Sequence, residues 1–294
     1  MQVEMEKLRQ SFEAAGFVIA EEDLNVLYLA LRLEKPLLVC GPPGVGKTDL
    51  AKVLSKILAA RLIRLQCHEG LDESKALYDW NLQRQLVKIH LAAHAAILEN
   101  ELFTLSNILQ RPLLQAITAT EPVVLLIDEI DRSDPDFEAF LLEVLSDFQV
   151  SVPEIGTIKA EQKPVVIITS NGERELSEAL RRRCIFLYLN FPGIEQEASI
   201  IKIKIPGVLD ELREEMALAV ARARDAGHHP IPGAESGLDW ARALFLLDAD
   251  HYQEDYVSKT LQMLAKNKEN LIAVQEFLRS NNTAAPVKQE RETK

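Results

Sequence analysis

One segment limits the possible folds of this chain more than any other: Gly41-Pro42-Pro43-Gly44-Val45-Gly46-Lys47-Thr48, which fits G-x-x-x-x-G-K-[ST] in full. The pattern requires a strand before it and a helix after it, so that backbone N–H groups and the positive end of a helix converge on one anion. Both flanks are predicted. Pro36-Leu37-Leu38-Val39-Cys40 is a short apolar run bounded by proline and glycine, the pattern of a buried strand. Residues 46–60 carry Leu50, Val53, Leu54, Ile57 and Leu58 on one helical face. The glycines permit the tight bend, Lys47 reaches outer phosphates, and the Thr48 hydroxyl suits magnesium. The bland alternative is a glycine-rich turn with an exposed lysine, and the flanking strand and helix weigh against it.

The same reading extends along the chain. Residues 1–35 are predicted mostly helical, with Leu24, Leu27 and Leu31 in one stripe. Leu62 to Cys67, Val123 to Ile127, Pro164 to Thr169 and Ile185 to Leu189 give further strands, and Val123 to Ile127 has the unbroken apolar character of a strand covered on both faces. Residues 70–120 show helical periodicity in pieces, Asp136 to Phe148 is helical, and residues 149–163, with Pro153 and Gly156, are expected to form a hairpin. The sum is an α/β fold with a five-stranded parallel sheet and helices on both faces. The character changes at Phe191 to Gly193. Residues 1–193 are expected to form the α/β domain and 194–280 a helical lid, in which Leu209, Leu212, Met216 and Val220 share a stripe. Ile200 to Ile205 alternates with lysine and fits strand or helix, and the polar residues 281–294 are expected to be a disordered tail.

Val123-Val124-Leu125-Leu126-Ile127-Asp128-Glu129 supplies the second half of a site. A buried strand ending in Asp places a carboxylate at the sheet's C-terminal edge, where open α/β sheets bind ligands. Asp128 is expected to hold magnesium through its water shell, and Glu129 to polarise an attacking water as general base. Val165 to Thr169 ends in Ser170-Asn171; Asn171 either orients that water or starts a turn before Gly172. Arg181-Arg182-Arg183 closes a helical segment and is either a solvated basic turn or a source of a cation for a γ-phosphate.

Composition narrows the function. The net charge of −12 argues against a broad grip on nucleic acid, which needs phosphate-neutralising Lys and Arg. Cys40, Cys67 and Cys184 lie far apart, without zinc or redox spacing, and read as reduced thiols. The first ten residues are charged rather than apolar, and no run approaches the ~20 apolar residues of a membrane span, so a cytoplasmic location is expected. His90 and His94 share a helical face without a third ligand and read as surface or packing residues, as do Cys67-His68, Tyr78 and Trp80.

With these motifs in order, residues 16–280 resemble the AAA+ ATPases, and among them the MoxR family. Leu33-Glu34-Lys35-Pro36-Leu37-Leu38, the stretch from Gly70-Leu71-Asp72-Glu73 to Tyr78-Asp79-Trp80-Asn81, Asp128-Glu129-Ile130-Asp131-Arg132 and Leu238-Asp239-Trp240-Ala241-Arg242 carry the likeness. They are similar to the branch that includes the maturation ATPase of molybdenum–copper carbon monoxide dehydrogenase. The resemblance implies ATP and Mg2+ as cofactors, Asn171 as first sensor, Arg183 or next Arg182 as arginine finger, and Arg242 as second sensor in the lid. It also implies an insertion near Gly70 to Trp80, the hairpin at 149–163 before the first sensor, and a homo-oligomeric, hexameric ring. The expected partners are a protein client and a protein with a von Willebrand factor A domain, with chaperone-like maturation, including metal-centre assembly, as the work done. A nucleic-acid motor or loader is the alternative.

Overall fold

The computed structural model describes residues 4–91, 102–153, 155–225, 233–247, 259–263 and 272. His94, the expected tail at 281–294 and most of the expected lid beyond 247 lie outside them.

Among the described residues nine strands are placed: β1 (Leu37–Cys40), β2 (Arg61–Gln66), β3 (Tyr78–Trp80), β4 (Ile108–Gln110), β5 (Val123–Asp128), β6 (Gln149–Val152), β7 (Gly156–Lys159), β8 (Val165–Ser170) and β9 (Ile185–Tyr188). Five form one sheet in the order β2-β5-β8-β1-β9, every pair parallel. These are the five strands expected from the apolar runs. All six residues of β5 are buried, as an unbroken apolar run demands. The order places β1, β5 and β8 side by side. The residues following their C-terminal ends therefore meet, although the strands are far apart in sequence.

The helices follow their apolar spacing. Helix Lys47–Ile57 buries Lys47, Leu50, Ala51, Leu54 and Ser55, and the C-cap of helix Pro135–Asp147 is Phe148 in a left-handed conformation (φ 48°). One core cluster unites both helix and sheet residues, among them Leu38, Ile63, Leu125, Ile127, Leu141, Ile168 and Leu180. The expected hairpin at 149–163 is β6 paired antiparallel with β7.

One expectation changes and one open reading is decided. The helical pieces within 70–120 include helices Glu73–Ala76, Leu82–Leu91 and Pro112–Ile117, but β3 and β4 pair antiparallel between them, Tyr78 opposite Gln110 and Trp80 opposite Ile108. Ile200 to Ile205 is no strand: helix Ile194–Lys204 runs through it, burying Glu197 and Ile201 at helical spacing.

The chain divides into two compact units, one of Met1–Gly41 with Gly46–Leu189 and one of Pro42–Val45 with Asn190–Lys294. The second contains helices Ile194–Lys204, Asp210–Asp225 and Ala234–Leu246 around their own cluster of Ile201, Leu212, Met216, Val220, Trp240 and Leu244. Leu212, Met216 and Val220 are buried as their stripe requires, whereas Leu209 is exposed. A buried ion pair, Arg224 Nη1 to Glu197 Oε2 at 2.9 Å, lies in this unit, with the guanidinium 5.0 Å from the centroid of the Phe191 ring. Burial raises the Glu197 carboxyl above its ordinary range, while the Arg224 charge and hydrogen bond pull it down.

Candidate phosphate-binding and hydrolytic site

Gly46 precedes helix Lys47–Ile57 at φ 95°, and Gly41 and Gly44 also have positive φ, 151° and 80°. A side chain is strained in this left-handed region, so the loop's path needs glycine at these turns. Lys47 is buried, and its Nζ donates to the Gly41 carbonyl at 2.6 Å. Burial lowers the Lys47 pKa, while the charges of Asp131, Cys40, Asp128 and Glu129 raise it.

The Thr48 hydroxyl donates to Asp128 Oδ1 at 3.1 Å and Oδ2 at 3.3 Å, which joins the loop to the end of β5. Asp128 is 1% exposed. Its Oδ1 also accepts from Thr169 Oγ1 at 2.6 Å, and Thr169 Oγ1 in turn accepts the Glu129 N–H at 2.9 Å. One hydroxyl on β8 therefore fixes both the carboxylate of Asp128 and the backbone of Glu129. Glu129 adopts φ 57° and ψ 53°, a conformation that costs a non-glycine residue free energy and turns its side chain away from the strand's alternation.

The Glu129 carboxylate is held from three sides. Gln66 Nε2 donates to Oε2 at 2.9 Å, Arg132 Nη1 to Oε2 at 3.0 Å, and Asn171 Nδ2 to Oε1 at 3.4 Å. The loop carrying Asn171 is anchored by buried Asp131, whose Oδ2 accepts the N–H groups of Asn171 and Glu173, each at 2.9 Å. Residues 129, 131 and 171 thus form one hydrogen-bonded unit across the ends of β5 and β8.

The Asn171 loop continues into the arginine segment. Arg174 Nη1 pairs with Glu138 Oε1 at 2.5 Å, Arg174 Nη2 donates to the Ser133 carbonyl at 2.9 Å, and the Ser177 N–H donates to Glu138 Oε2 at 2.9 Å. Ser177 caps helix Glu178–Arg183, its Oγ accepting from the Leu180 N–H at 3.3 Å. Of the three arginines, Arg181 pairs with Glu175 at 3.3 Å and Arg182 with Glu178 at 2.5 Å. Arg183 is exposed and has no ion-pair partner among the described residues.

Arg242 lies in the second unit, on helix Ala234–Leu246, exposed and 3.3 Å from Asp239. His90 Nδ1 lies 2.8 Å from the Leu86 carbonyl, and no group of three or more His, Cys, Asp or Glu suited to a metal occurs among the described residues. Sequence reasoning missed the supporting residues Arg64, Gln66, Thr169, Glu138 and Arg174. The available signals were the two polar residues on one face of β2 and the buried Thr169-Ser170 pair ending an apolar strand. Asp131 entered only as part of a matching stretch.

A five-stranded parallel sheet of this order, with a phosphate loop after β1 and an Asp-Glu pair at the C-terminal end of β5, defines an AAA+ ATPase, an enzyme that hydrolyses ATP. The profile of the AAA domain of the dynein-related subfamily matches residues 36–184, and the chain belongs to that family. It is similar to Lon protease of Cytophaga hutchinsonii, 29% identical over 191 residues covering 62% of this chain and 21% of that protein. It is also similar to the chaperone protein ClpB of Mycoplasma pneumoniae, 27% identical over 200 residues, 60% of this chain and 24% of that protein. The chain thus spans about a fifth to a quarter of the length of these relatives. Among solved structures, the RuvB Holliday junction branch migration motor of Thermotoga maritima shares the fold, with a TM-score of 0.51 and 21% identity over 86% of this chain and 72% of that one. No helix among the described residues is long and apolar enough to cross a membrane.

Proposed function

We propose that this ATPase works with magnesium in a ring oligomer and uses hydrolysis to remodel or mature a protein client, in the manner of the MoxR family. The observation that carries the hydrolytic part is the Glu129 carboxylate, poised beside Asn171 and backed by Gln66 at the edge that also holds Lys47 and Thr48. Glu129 takes a proton from the attacking water, Asn171 orients that water, and Lys47 binds the outer phosphates with the N–H groups of Gly41 to Thr48. Thr48 and Asp128 offer two hard oxygen donors within 3.1 Å of each other, the donor set that suits Mg2+ when phosphates and water complete its shell. When bound there, the ion neutralises charge on the phosphates.

A further cation on the γ-phosphate of the transition state is required, and the two arginines beside the site are engaged, Arg132 on the Glu129 carboxylate and Arg64 on Asp128. Arg183 supports a supply in trans: it ends a helix tied to the Asn171 loop through Glu138 and Ser177, and the acids beside it are taken by Arg181 and Arg182. Arg242 is proposed as a second sensor. Residues 1–193 would form the nucleotide-binding domain and 194–280 its lid. A protein client is supported by relatives named as a protease and a chaperone, by the −12 charge and by the matching MoxR stretches. A von Willebrand factor A protein is the expected partner. The likeness to a branch migration motor is one of fold, and stimulation of turnover by DNA would favour the nucleic-acid alternative.

Mixing tests the ring. Arg183→Ala subunits keep the phosphate loop, and Lys47→Ala subunits keep the finger. Each should be nearly inactive alone, since a finger is worth ~10³–10⁵ in rate. The mixture should regain activity at interfaces pairing a sound loop with a sound finger. Co-assembly without recovery would remove the trans role of Arg183.

A further inference from the structure

Asp128 has a third side-chain donor, after Thr48 and Thr169, that the hydrolytic reading does not use. Arg64 reaches up from β2 and gives Asp128 Oδ2 two hydrogen bonds, from Nε at 2.9 Å and Nη2 at 2.5 Å. Arg64 and Gln66 are two apart on an edge strand and so share a face, and Gln66 is the register partner of Asp128. Arg64 Nη2 also donates to Gln66 Oε1, while the Gln66 amide nitrogen holds Glu129. The guanidinium therefore stands on the carboxylate assigned to magnesium and touches the residue that holds the base.

We propose that Arg64 is a tethered cation that competes with Mg2+ for Asp128 and so sets the magnesium requirement for nucleotide binding. The proposal rests on the reading of Thr48 and Asp128 as the magnesium residues. A carboxylate only 1% exposed is costly to keep ionised without strong donors or a cation. In the absence of metal Arg64 supplies both, with Thr48 and Thr169 filling the remaining positions. A guanidinium does not lose its proton in a protein, so its charge leaves Asp128 only by movement of the side chain. The Arg64 side chain is 49% exposed, so water is open to it on that side.

Two opposite effects follow from removing the charge. Without metal, Asp128 is left less neutralised and repels nucleotide phosphates. With metal, the competitor is gone. A single positive charge about 6 Å from a divalent ion, even in a water-like dielectric, opposes its binding about tenfold.

The experiment is equilibrium binding of a fluorescent ATP analogue, titrated at fixed free Mg2+ from none, with EDTA, to millimolar. Wild type, Arg64→Gln, Arg64→Met and Arg64→Lys are compared. Both charge-removing variants should lower the half-saturating Mg2+ about tenfold and widen the ratio of metal-free to metal-saturated Kd, while Arg64→Lys stays near wild type. An unchanged magnesium response in both would overturn the proposal. So would a raised half-saturating Mg2+, because Arg64 would then support the metal rather than oppose it. Loss of nucleotide binding in both variants, with and without metal, would overturn it as well, since Arg64 would be needed to build the site. Magnesium without effect on wild-type affinity would instead remove the magnesium reading of Thr48 and Asp128, and this proposal with it.

Discussion

Replacing Arg174 with Leu should destabilise the α/β unit by more than any surface change. Glu138 sits in the first turn of helix Pro135–Asp147 and is 1% exposed, whereas the Arg174 side chain is 29% exposed. The leucine leaves a buried carboxylate with the Ser177 N–H as its remaining donor. Breaking a buried ion pair costs about 3–5 kcal/mol; water reaching the guanidinium in the wild type puts this pair near 3. The lost bond to the Ser133 carbonyl adds about 1 kcal/mol. The helix N-terminus returns a few tenths through its dipole, so the sum is about 3–4 kcal/mol. Urea unfolding should show the midpoint falling at unchanged slope. The double variant Glu138→Gln/Arg174→Leu removes the stranded charge and keeps an acceptor for Ser177, so it should recover more than half of the loss. A single variant within 1 kcal/mol of wild type, or a double variant no better than the single, would refute the reasoning.

Gly237→Ala in helix Ala234–Leu246 should destabilise, although alanine in a helix normally adds about 1 kcal/mol. A Cβ there would lie 2.8 Å from Glu197 Oε1 and 3.3 Å from the Val220 methyls, and Glu197 is pinned by Arg224. A loss of about 1–3 kcal/mol is expected in thermal unfolding, and a gain would contradict it. Burial pushes the Cys67 and Cys184 thiols up to about 12 from an ordinary 9.0. Thiol reagents at pH 8 should therefore label both slowly in the folded protein and quickly in denaturant. Because the folded values lie above the unfolded ones, these thiols' contribution is complete below pH 9 and is lost as pH rises between about 9 and 12. Fast labelling of Cys67 in the folded protein would contradict its burial.

The three inner strands β1, β5 and β8 were legible as apolar runs because the sheet covers them on both faces, and the edge strands β2 and β9 as shorter apolar stretches with one exposed face. The hairpin was legible from Pro153 and Gly156. The β3–β4 pair was not, since strands of three residues show no period and their pairing is set by distant contacts. Ile200 to Ile205 stayed open for a related reason: Ile and Lys alternate, while burial falls on Glu197 and Ile201 at helical spacing and Ile203 stays exposed. Lys47, Thr48, Asp128 and Glu129 stand in motifs whose spacing is itself the signal. Thr169, Asp131, Glu138 and Arg174 act through partners at least 36 positions away in sequence, as Arg174 does with Glu138, and no local pattern encodes such partners. The three consecutive arginines could not be ranked from order alone; Glu175 and Glu178 separate them by engaging Arg181 and Arg182.

The central claim is that Glu129 is the base of a phosphate-loop site built by Lys47, Thr48 and Asp128. Glu129→Gln keeps the shape and an acceptor for Gln66 but removes the base, so it tests that claim most directly. Measured side by side, ATP affinity should stay within a few-fold of wild type, while turnover falls by about 10²–10⁴ and ATP persists on the protein. Wild-type turnover by Glu129→Gln would contradict the account.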